Sequence, residues 1–275
     1  MNTTEDMNTR LTKEDQAMIK EAKGNKVSGP IYSEDGLRLL RVLGNPEFLE
    51  VEDGVKAICD EAFQGLDNLH DVVLPESVVD LGTRAFASCI KLFKITMPGV
   101  DFIGIESFAH CENLKEIALP ETLGKIWKAA FADCKALEEI NIPSHLKIID
   151  KSAFRNSGLK SLNIEITDGG KCLVYDKAFA SCKHLESVYL NKNVKIVERM
   201  AFAGCTSLKT VEFEQPSLTC CAGEINATML IGCTSLEKII VPKNKYNAYP
   251  DFNINGYESA QFETRDFNSL VTPKE

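Results

Sequence analysis

The stretch that decides the fold is AFADCKALEEINIP, residues 130–143. Phe131 is followed three residues later by Cys134, and then by the apolar spacing L-x-x-I-x-I and a proline. The alternation at the end of this spacing turns the apolar side chains to one face of a short strand. Pro143 closes the strand, because proline has no N–H with which to continue a hydrogen-bonded ladder. The stretch therefore predicts a compact turn that buries an aromatic ring, followed by a short strand.

The same order of residues recurs along most of the chain. The unit reads A-F-x-x-C-x-x-L-x-x-I-x-L-P-x-x-L-x-x-I, and successive aromatic places lie 23, 22, 23, 23, 25, 23 and 28 residues apart. These places hold Phe63, Phe86, Phe108, Phe131, Phe154, Phe179, Phe202 and Leu230. One repeat buries about eight apolar side chains, worth roughly 12–24 kcal/mol. Ordering its ~23 residues costs roughly 23–46 kcal/mol in backbone entropy, so a repeat is stable only when it stacks on its neighbours.

This repetition predicts a β-rich (α+β) solenoid, a right-handed superhelix with short parallel strands, about eight repeats and terminal caps. Residues 1–30 are predicted to form an N-terminal extension whose short helix begins after Thr12 and ends at Gly24. Residues 31–249 make up the solenoid with its caps, and residues 250–275 a tail. Two insertions, at 168–170 and 214–228, are expected to be loops that leave the sheet of strands unbroken.

These residues resemble the BspA-like leucine-rich repeats, over about residues 31–249. Tyr32-Ser33-Glu34-Asp35-Gly36 is similar to the leading module of such proteins, and Val241-Pro242 with Tyr246 and Tyr249 to their closing module. The resemblance implies a leucine-rich-repeat fold without a catalytic centre. It also implies a role in adhesion and protein binding, since members are mostly cell-surface or secreted proteins of host-associated microbes.

Composition argues against two classes of function. The net charge is −9 and the pI is about 5.2, the opposite of the balance that nucleic-acid binders carry. No run approaches the ~18 apolar residues that a membrane span needs, so membrane insertion is not expected. The sequence as written shows no export signal. We expect a cytoplasmic protein, with a cell-surface or secreted location as the alternative if a leader was removed.

The cysteines and histidines offer no metal or catalytic centre. Repeat cysteines in one equivalent place stack in single file, which suits neither tetrahedral zinc nor disulfide geometry and favours small buried apolar side chains. A reactive thiol remains open for the four cysteines outside this file: Cys59, Cys172, Cys220 and Cys221. The four histidines lie at different offsets in their repeats. We therefore expect no enzyme, no metal and no cofactor.

A charge of alternating sign follows the first strand leucine in six successive repeats. The residues are Lys115, Glu138, Lys160, Glu186, Lys209 and Glu237. Opposite charges across a strand pair contribute roughly 0.2–1 kcal/mol. We interpret the series as an ion-pair ladder that sets the register between similar repeats, in preference to a polar docking strip.

The candidate binding surface is the solvent side of the L-x-x-I-x-L strands, where the third and fifth places stack into two columns. The candidate residues in these columns are Glu116, Glu139, Asn141, Asn163 and Tyr189. Adjacent carboxylates at Glu116 and Glu139 cost stability, which suggests a ligand with basic or hydrogen-bonding groups. Trp127 and Tyr175 are two further candidates, and each either anchors a partner or covers a gap at a turn. An ordinary solvated sheet is the alternative for the whole surface.

Two hypotheses on function follow. The first is a non-enzymatic module that binds a protein or a glycan through its sheet surface, adhesin-like by resemblance. The second is a structural subunit packed into a larger assembly through its termini and solenoid edges. The identity of the partner does not follow from the sequence.

Overall fold

A computed structural model describes residues 9–167, 170–214, 227–242 and 261–265, and its strands form a parallel β-solenoid of about eight turns. The only α-helix in these ranges is α1, Lys13–Gly24. The strands are β1 Gly29–Tyr32, β2 Arg38–Leu43, β3 Phe48–Glu50, β4 Ala57–Ile58, β5 Asp71–Val73, β6 Asp80–Leu81, β7 Lys94–Thr96, β8 Phe102–Ile103, β9 Glu116–Ile117, β10 Lys125–Ile126, β11 Ile148–Ile149, β12 Ser161–Ile164, β13 Cys172–Val174, β14 Ser187–Leu190, β15 Val194–Val197, β16 Thr210–Phe213, β17 Lys238–Pro242 and β18 Gln261–Arg265. A 3-10 helix covers Ala227–Leu230. The predicted fold class is confirmed.

The predicted L-x-x-I-x-L strands form two sheets. One holds β3, β5, β7 and β9, and the other holds β12, β14, β16, β17 and β18. Neither insertion interrupts a sheet, as expected, because β12 pairs with β14 and β16 pairs with β17. The two sheets are instead separated at residues 137–142, which form no strand. In this repeat the Asn141 side chain accepts a hydrogen bond from the Leu119 N–H at 3.0 Å and donates one to the Leu119 carbonyl at 2.8 Å. The amide thus occupies backbone groups that strand pairing would use.

The longest sheet comes from the second apolar pair of each repeat, for which we had predicted no strand. Its nine strands run in the order β1, β2, β4, β6, β8, β10, β11, β13 and β15, and we call it the long sheet. The core-facing residues Ile103, Ile126, Ile149 and Val174 are in register and buried. The core therefore lies between the long sheet and the two shorter sheets.

The A-F-x-x-C segment is a series of turns rather than a helix. Two places in most repeats have positive φ, for example Ala129 (53°) and Asp133 (64°) around Phe131. Gly204 takes the second of these places in its repeat, with φ of 73°, a conformation that glycine adopts without strain. The turns bond from repeat to repeat, as in Phe131 N–H to the Ala153 carbonyl at 2.7 Å. Hydrogen bonding between repeats therefore continues around the turns.

The seven phenylalanines form a continuous stack through the core. Each ring is fully buried, and centroids of successive rings lie 4.4 to 5.4 Å apart with interplanar angles of 20° or less. Burying each ring removes a large apolar surface from water, and aromatic pairs add about 0.5–1.5 kcal/mol. The stack is the axis on which the repeats are aligned.

The repeat cysteines act as hydrogen-bond donors between repeats. Six thiols donate to the carbonyl of the phenylalanine one repeat earlier at 3.1 to 3.2 Å. They belong to Cys89, Cys111, Cys134, Cys182, Cys205 and Cys233. Ser157 fills the cysteine place of the fifth repeat, and its hydroxyl lies 3.3 Å from the sulfur of Cys182. These cysteines are small buried residues, as predicted, with an added hydrogen-bonding role.

The N-terminal cap has the predicted helix and strand pair. Thr12 caps α1, and its side chain and that of Asp15 exchange hydrogen bonds with each other's backbone. The β1–β2 pair is antiparallel, and β2 continues into the long sheet through β4. The helix packs on this sheet, where Ile19 contacts Leu40 and Cys59. Residues 9–30 are thus part of the folded unit.

The C-terminal end differs from the predicted tail. Within residues 250–275, β18 pairs in parallel with β17 and adds a strand to the five-stranded sheet. The repeat pattern does not extend to these residues, so the sequence did not predict this strand. It lies at the edge of the sheet that β17 leaves free. Several predictions lie on residues outside those described: most of the two insertions, Cys220, Cys221, Tyr246 and Tyr249.

Two close ion pairs of the predicted ladder form, one next to the start of β12 and one next to the start of β16. Lys160 Nζ lies 2.6 Å from Glu138 Oε2, and Lys209 Nζ lies 2.9 Å from Glu186 Oε2. The hydrogen bond from Lys160, followed by its charge, lowers the pKa of Glu138, and Lys115 on the other side lowers it further. The alternating charges therefore interact across the repeats, as the sequence predicted.

The thiol bonds give a first prediction. Changing Cys134→Ala removes one of the two donors to the Phe108 carbonyl, which keeps the Cys111 N–H at 3.1 Å, and should cost about 0.5–1.5 kcal/mol of unfolding free energy. Cys134→Ser keeps a donor and should cost less. Urea denaturation followed by circular dichroism measures both, and equal losses in the two variants would contradict the bonding role.

The ion-pair ladder gives a second prediction. Glu138→Lys places three lysines in adjacent repeats, so the melting temperature should fall at low salt and fall less at high salt, because salt screens exposed charges. The stabilisation that the wild-type Glu138–Lys160 pair provides depends on pH in a definite direction. The lowered pKa of Glu138 means that its contribution is complete above the ordinary value of 4.5 and is lost as pH falls through the folded-state value.

A melting temperature that does not differ between wild type and variant at either salt concentration would show that the ladder does not stabilise the solenoid. Glu76→Lys is a matched charge reversal outside the ladder, since Glu76 is exposed in the turn after β5.

Candidate binding surfaces

Five of the predicted site residues lie on the solvent side of the two shorter sheets and the segment between them, which we call the short-strand face. Glu116, Glu139, Asn141 and Asn163 are exposed there, and Tyr189 is half-buried. Parallel pairing aligns Ser161 with Ser187 and Asn163 with Tyr189, so the two predicted columns exist in this part of the face. The face is divided at residues 137–142, where the strands are not paired.

A shallow depression of about 480 Å³ lies beside this division. Exposed Ala118 lies between larger side chains, and the prolines that end the two strands, Pro98 and Pro120, form one wall. The Lys94–Glu116 ion pair, with Nζ and Oε2 3.0 Å apart, forms another. The exposed apolar lining comes from Ala118, the two prolines and the half-buried Ile117, while the side chains of Ile95, Met97 and Leu119 are buried in the core. The depression is therefore an apolar hollow with a charged rim.

The two carboxylates that suggested a ligand have different surroundings. Lys94 on β7 neutralises Glu116, so the predicted cost of two adjacent carboxylates is largely relieved by a residue that we had not considered. Glu139 is exposed, and no described residue forms an ion pair with its carboxylate. Asn141, next to it, is held by its two hydrogen bonds with Leu119. Glu139 is thus the carboxylate that remains available to a ligand near the hollow.

The other end of the face is acidic and internally bonded. The Asn163 amide donates to Glu165 Oε1 at 2.9 Å, and the Tyr189 hydroxyl donates to Glu214 Oε1 at 2.6 Å. Partial burial raises the pKa of Tyr189, and the hydrogen bond and charge of Glu214 raise it further. The phenol is therefore held neutral and in one orientation, with one side of the ring accessible.

Trp127 and Tyr175 do not belong to this face. Both lie on the outer side of the long sheet, at equivalent places two strands apart, after β10 and β13. The Trp127 ring packs against Phe102 at 5.3 Å, and Lys125 Nζ lies 3.2 Å from its centroid. The structure thus separates the seven predicted residues into two surfaces.

Cys59 and Cys172, the two described cysteines outside the repeat file, are both buried. Burial raises the pKa of the Cys59 and Cys172 thiols to about 12, which keeps them protonated and unreactive. No group of three His, Cys, Asp or Glu side chains in the described ranges is placed to hold a metal ion. No helix within them has the length and apolar character to cross a bilayer.

Sequence reasoning missed the hollow at Ala118 and the outer side of the long sheet. A signal for the hollow existed, because Ala118 is the smallest residue in its column and Pro98 and Pro120 repeat at the ends of neighbouring strands. The signal for the long sheet was the second apolar pair of each repeat. A segment this short shows no periodicity that would distinguish a strand from a turn.

Comparison with known proteins gives one family. The BspA type leucine rich repeat region matches residues 45–163 and 172–262, in six copies. No curated protein matches the chain. Among solved structures, a T. pallidum leucine-rich repeat protein is 22% identical, with 87% of this chain and 98% of that chain covered and a TM-score of 0.47.

Two further solved structures show a similar extent of match. A leucine-rich cell surface protein from Faecalibacterium prausnitzii is 17% identical, with 87% of this chain and 93% of that chain covered and a TM-score of 0.41. The pneumococcal vaccine antigen PcpA is 17% identical, with 87% and 83% covered and a TM-score of 0.44.

Proposed function

Because the chain belongs to the BspA-type leucine-rich repeat family, we propose that it is a non-enzymatic, adhesin-like module that binds an extended segment of a partner protein on its short-strand face. The observation that carries this proposal is the apolar hollow at Ala118 beside the Glu139 carboxylate. A protein is favoured over a glycan because Ala118, Pro98 and Pro120 give the hollow a mostly apolar lining with few hydrogen-bonding groups.

The chemistry of the partner segment follows from the two features. An aliphatic or proline side chain fits between Pro98, Pro120 and Ala118, where it displaces water from an apolar lining. A lysine or arginine on the same segment reaches Glu139 in the next repeat, one repeat spacing of about 4.8 Å away. The partner therefore carries an apolar residue with a basic residue close by.

The alternative role, as a subunit packed into an assembly through its termini, has less support. Its strongest expected feature was an N-terminal helix ordered against another chain, whereas α1 packs on its own long sheet. The bidentate ion pair between Asp15 and Arg38, at 2.9 and 3.0 Å, ties the helix to β2. This helix is thus occupied within its own chain.

For the compartment, we propose the cytoplasm. Support comes from the eight cysteines among the described residues, all of which are buried free thiols. Six of them use the thiol hydrogen as a donor, and a disulfide would remove that donor. A reducing environment preserves this arrangement.

The binding proposal predicts the outcome of peptide selection. A phage-displayed library of random linear peptides is selected on the folded full chain and should yield peptides with an apolar and a basic residue close together. Ala118→Arg fills the hollow with a charge and should abolish their binding. Glu139→Ala should weaken it by about 1.5–3 kcal/mol, the worth of a hydrogen bond to a charged group.

The control for this selection is Ser187→Arg, which adds the same side chain to the same face but outside the hollow. Selected peptides should bind this variant as they bind wild type. Peptides that bind Ala118→Arg as tightly as wild type, or a library that yields no binders, would contradict the proposal.

The compartment proposal predicts the redox state of native material. Protein isolated from its source with immediate alkylation should carry the label on every repeat cysteine after denaturation, and on none of them before it, because the thiols are buried. Mass spectrometry distinguishes cysteines that were labelled before denaturation from those labelled after it. Disulfide links that join two or more of the repeat cysteines would show that the protein resides in an oxidising compartment.

A further inference from the structure

The outer side of the long sheet carries an apolar row that the other described residues leave uncovered. Strand pairing aligns Ile148 with Leu173 and Leu173 with Ile196, at outward-facing places on β11, β13 and β15. Each of these side chains is half-buried, as are the Trp127 and Tyr175 rings beside them. Aliphatic and aromatic residues are thus concentrated on one part of the surface, which in soluble proteins marks an interaction site.

A group of lysines borders this row where the strands begin. Lys147 precedes β11, Lys171 precedes β13, and Lys192 and Lys195 lie at the start of β15. Burial lowers the pKa of Lys195, and the charges of Lys171 and Lys192 lower it further, so these ammonium groups act on one another. The whole chain carries a net charge of −9. A basic border is therefore a local feature that opposes the overall charge.

The acidic side chains of the same surface have partners of their own. Asp150 pairs with Lys125 at 3.2 Å, and Glu198 accepts a hydrogen bond from the Asp176 N–H at 2.9 Å. They lie on the other side of the apolar row, after the strands. Within the lysine border, Lys147 and Lys171 are exposed, and no carboxylate among the described residues forms an ion pair with either of them.

At its N-terminal end, the long sheet already has a helix of the same chain packed on its outer side. Arg38 occupies the same row as Ile148 and Leu173, and Cys59 the same row as Trp127 and Tyr175. Over this end lies α1, which places the apolar Ile19 against Cys59 and pairs Asp15, from its first turn, with Arg38. An amphipathic helix with an acidic first turn is thus already docked on this sheet.

We propose that the uncovered part of the long sheet binds an amphipathic helix of a partner protein, with its apolar stripe on Ile148, Leu173 and Ile196 and its acidic flank against Lys147 and Lys171. The helix continues the mode of packing that α1 begins. This surface is separate from the short-strand face, so the inference does not depend on the function proposed above.

The size of the row agrees with such an occupant. From Phe102 on β8 to Ile196 on β15 there are four strand-to-strand steps. At ~4.8 Å each they span about 19 Å. A helix rises about 1.5 Å per residue, so about 13 residues cover the row. For comparison, α1 has 12 residues.

Trp127 is the only tryptophan in the chain, so its fluorescence reports directly on this surface. Two designed helical peptides with the same leucine stripe, one with glutamates on its flanks and one with lysines, are titrated into the full chain. The glutamate peptide should shift the emission of Trp127 saturably, with an affinity that falls as salt rises. The lysine peptide should give no saturable shift.

Variants locate the binding site. Lys147→Glu with Lys171→Glu should weaken binding of the glutamate peptide about tenfold, or 1.4 kcal/mol. Lys91→Glu with Lys183→Glu makes the same change in net charge on exposed turns away from the sheet and should leave the affinity unchanged. Leu173→Asp, at an outward-facing place, should abolish the shift while the thermal melt shows that the solenoid remains folded.

Three results would overturn the proposal. The first is the absence of a saturable shift with the glutamate peptide. The second is an equal response to both peptides, which would remove the role of the lysine border. The third is a shift with vesicles of anionic phosphatidylserine and none with the helix, which would make the surface a membrane-contact site instead.

Discussion

The stack of phenylalanine rings is the constraint on which the other features of the structure depend. Rings follow one another at nearly the spacing of paired strands, so a repeat that contributes its ring also brings its strands and turns into hydrogen-bonding distance of the next repeat. The repeat between Phe154 and Phe179 is two residues longer than the common 23, yet its rings lie 5.2 Å apart like their neighbours. Extra residues are therefore taken up away from the axis.

Hydrogen bonds reinforce this alignment at each place where the backbone turns. The cysteine thiols are second donors to phenylalanine carbonyls that also accept a backbone N–H within their own repeat, and each such bond contributes about 0.5–1.5 kcal/mol. Turn N–H groups bond to the following repeat in the same direction. The core places accept few residue types, so the repeats differ mainly in the side chains that face solvent.

That variation produces two surfaces of different character. The short-strand face has an apolar hollow, an available carboxylate at Glu139 and an acidic region around Tyr189. The outer side of the long sheet has an apolar row with lysines along one border. Surfaces of opposite charge on one scaffold suit two different partners, since charge complementarity selects partners as well as attracting them.

The sequence by itself determined the repeat length, the buried aromatic and cysteine places, the solenoid class, helix α1 and the alternating ion pairs, because each follows from local spacing. It did not determine that the second apolar pair forms the longest sheet, because two-residue strands carry no period of their own. Only the tertiary structure decided which outward residues act together: Lys94 neutralises Glu116 from another repeat, the Asn141 amide bonds to Leu119 and divides a sheet, and Trp127 lies on a different sheet from Tyr189. These contacts join residues more than 20 positions apart, and their outcome depends on side-chain geometry that a repeat pattern does not specify.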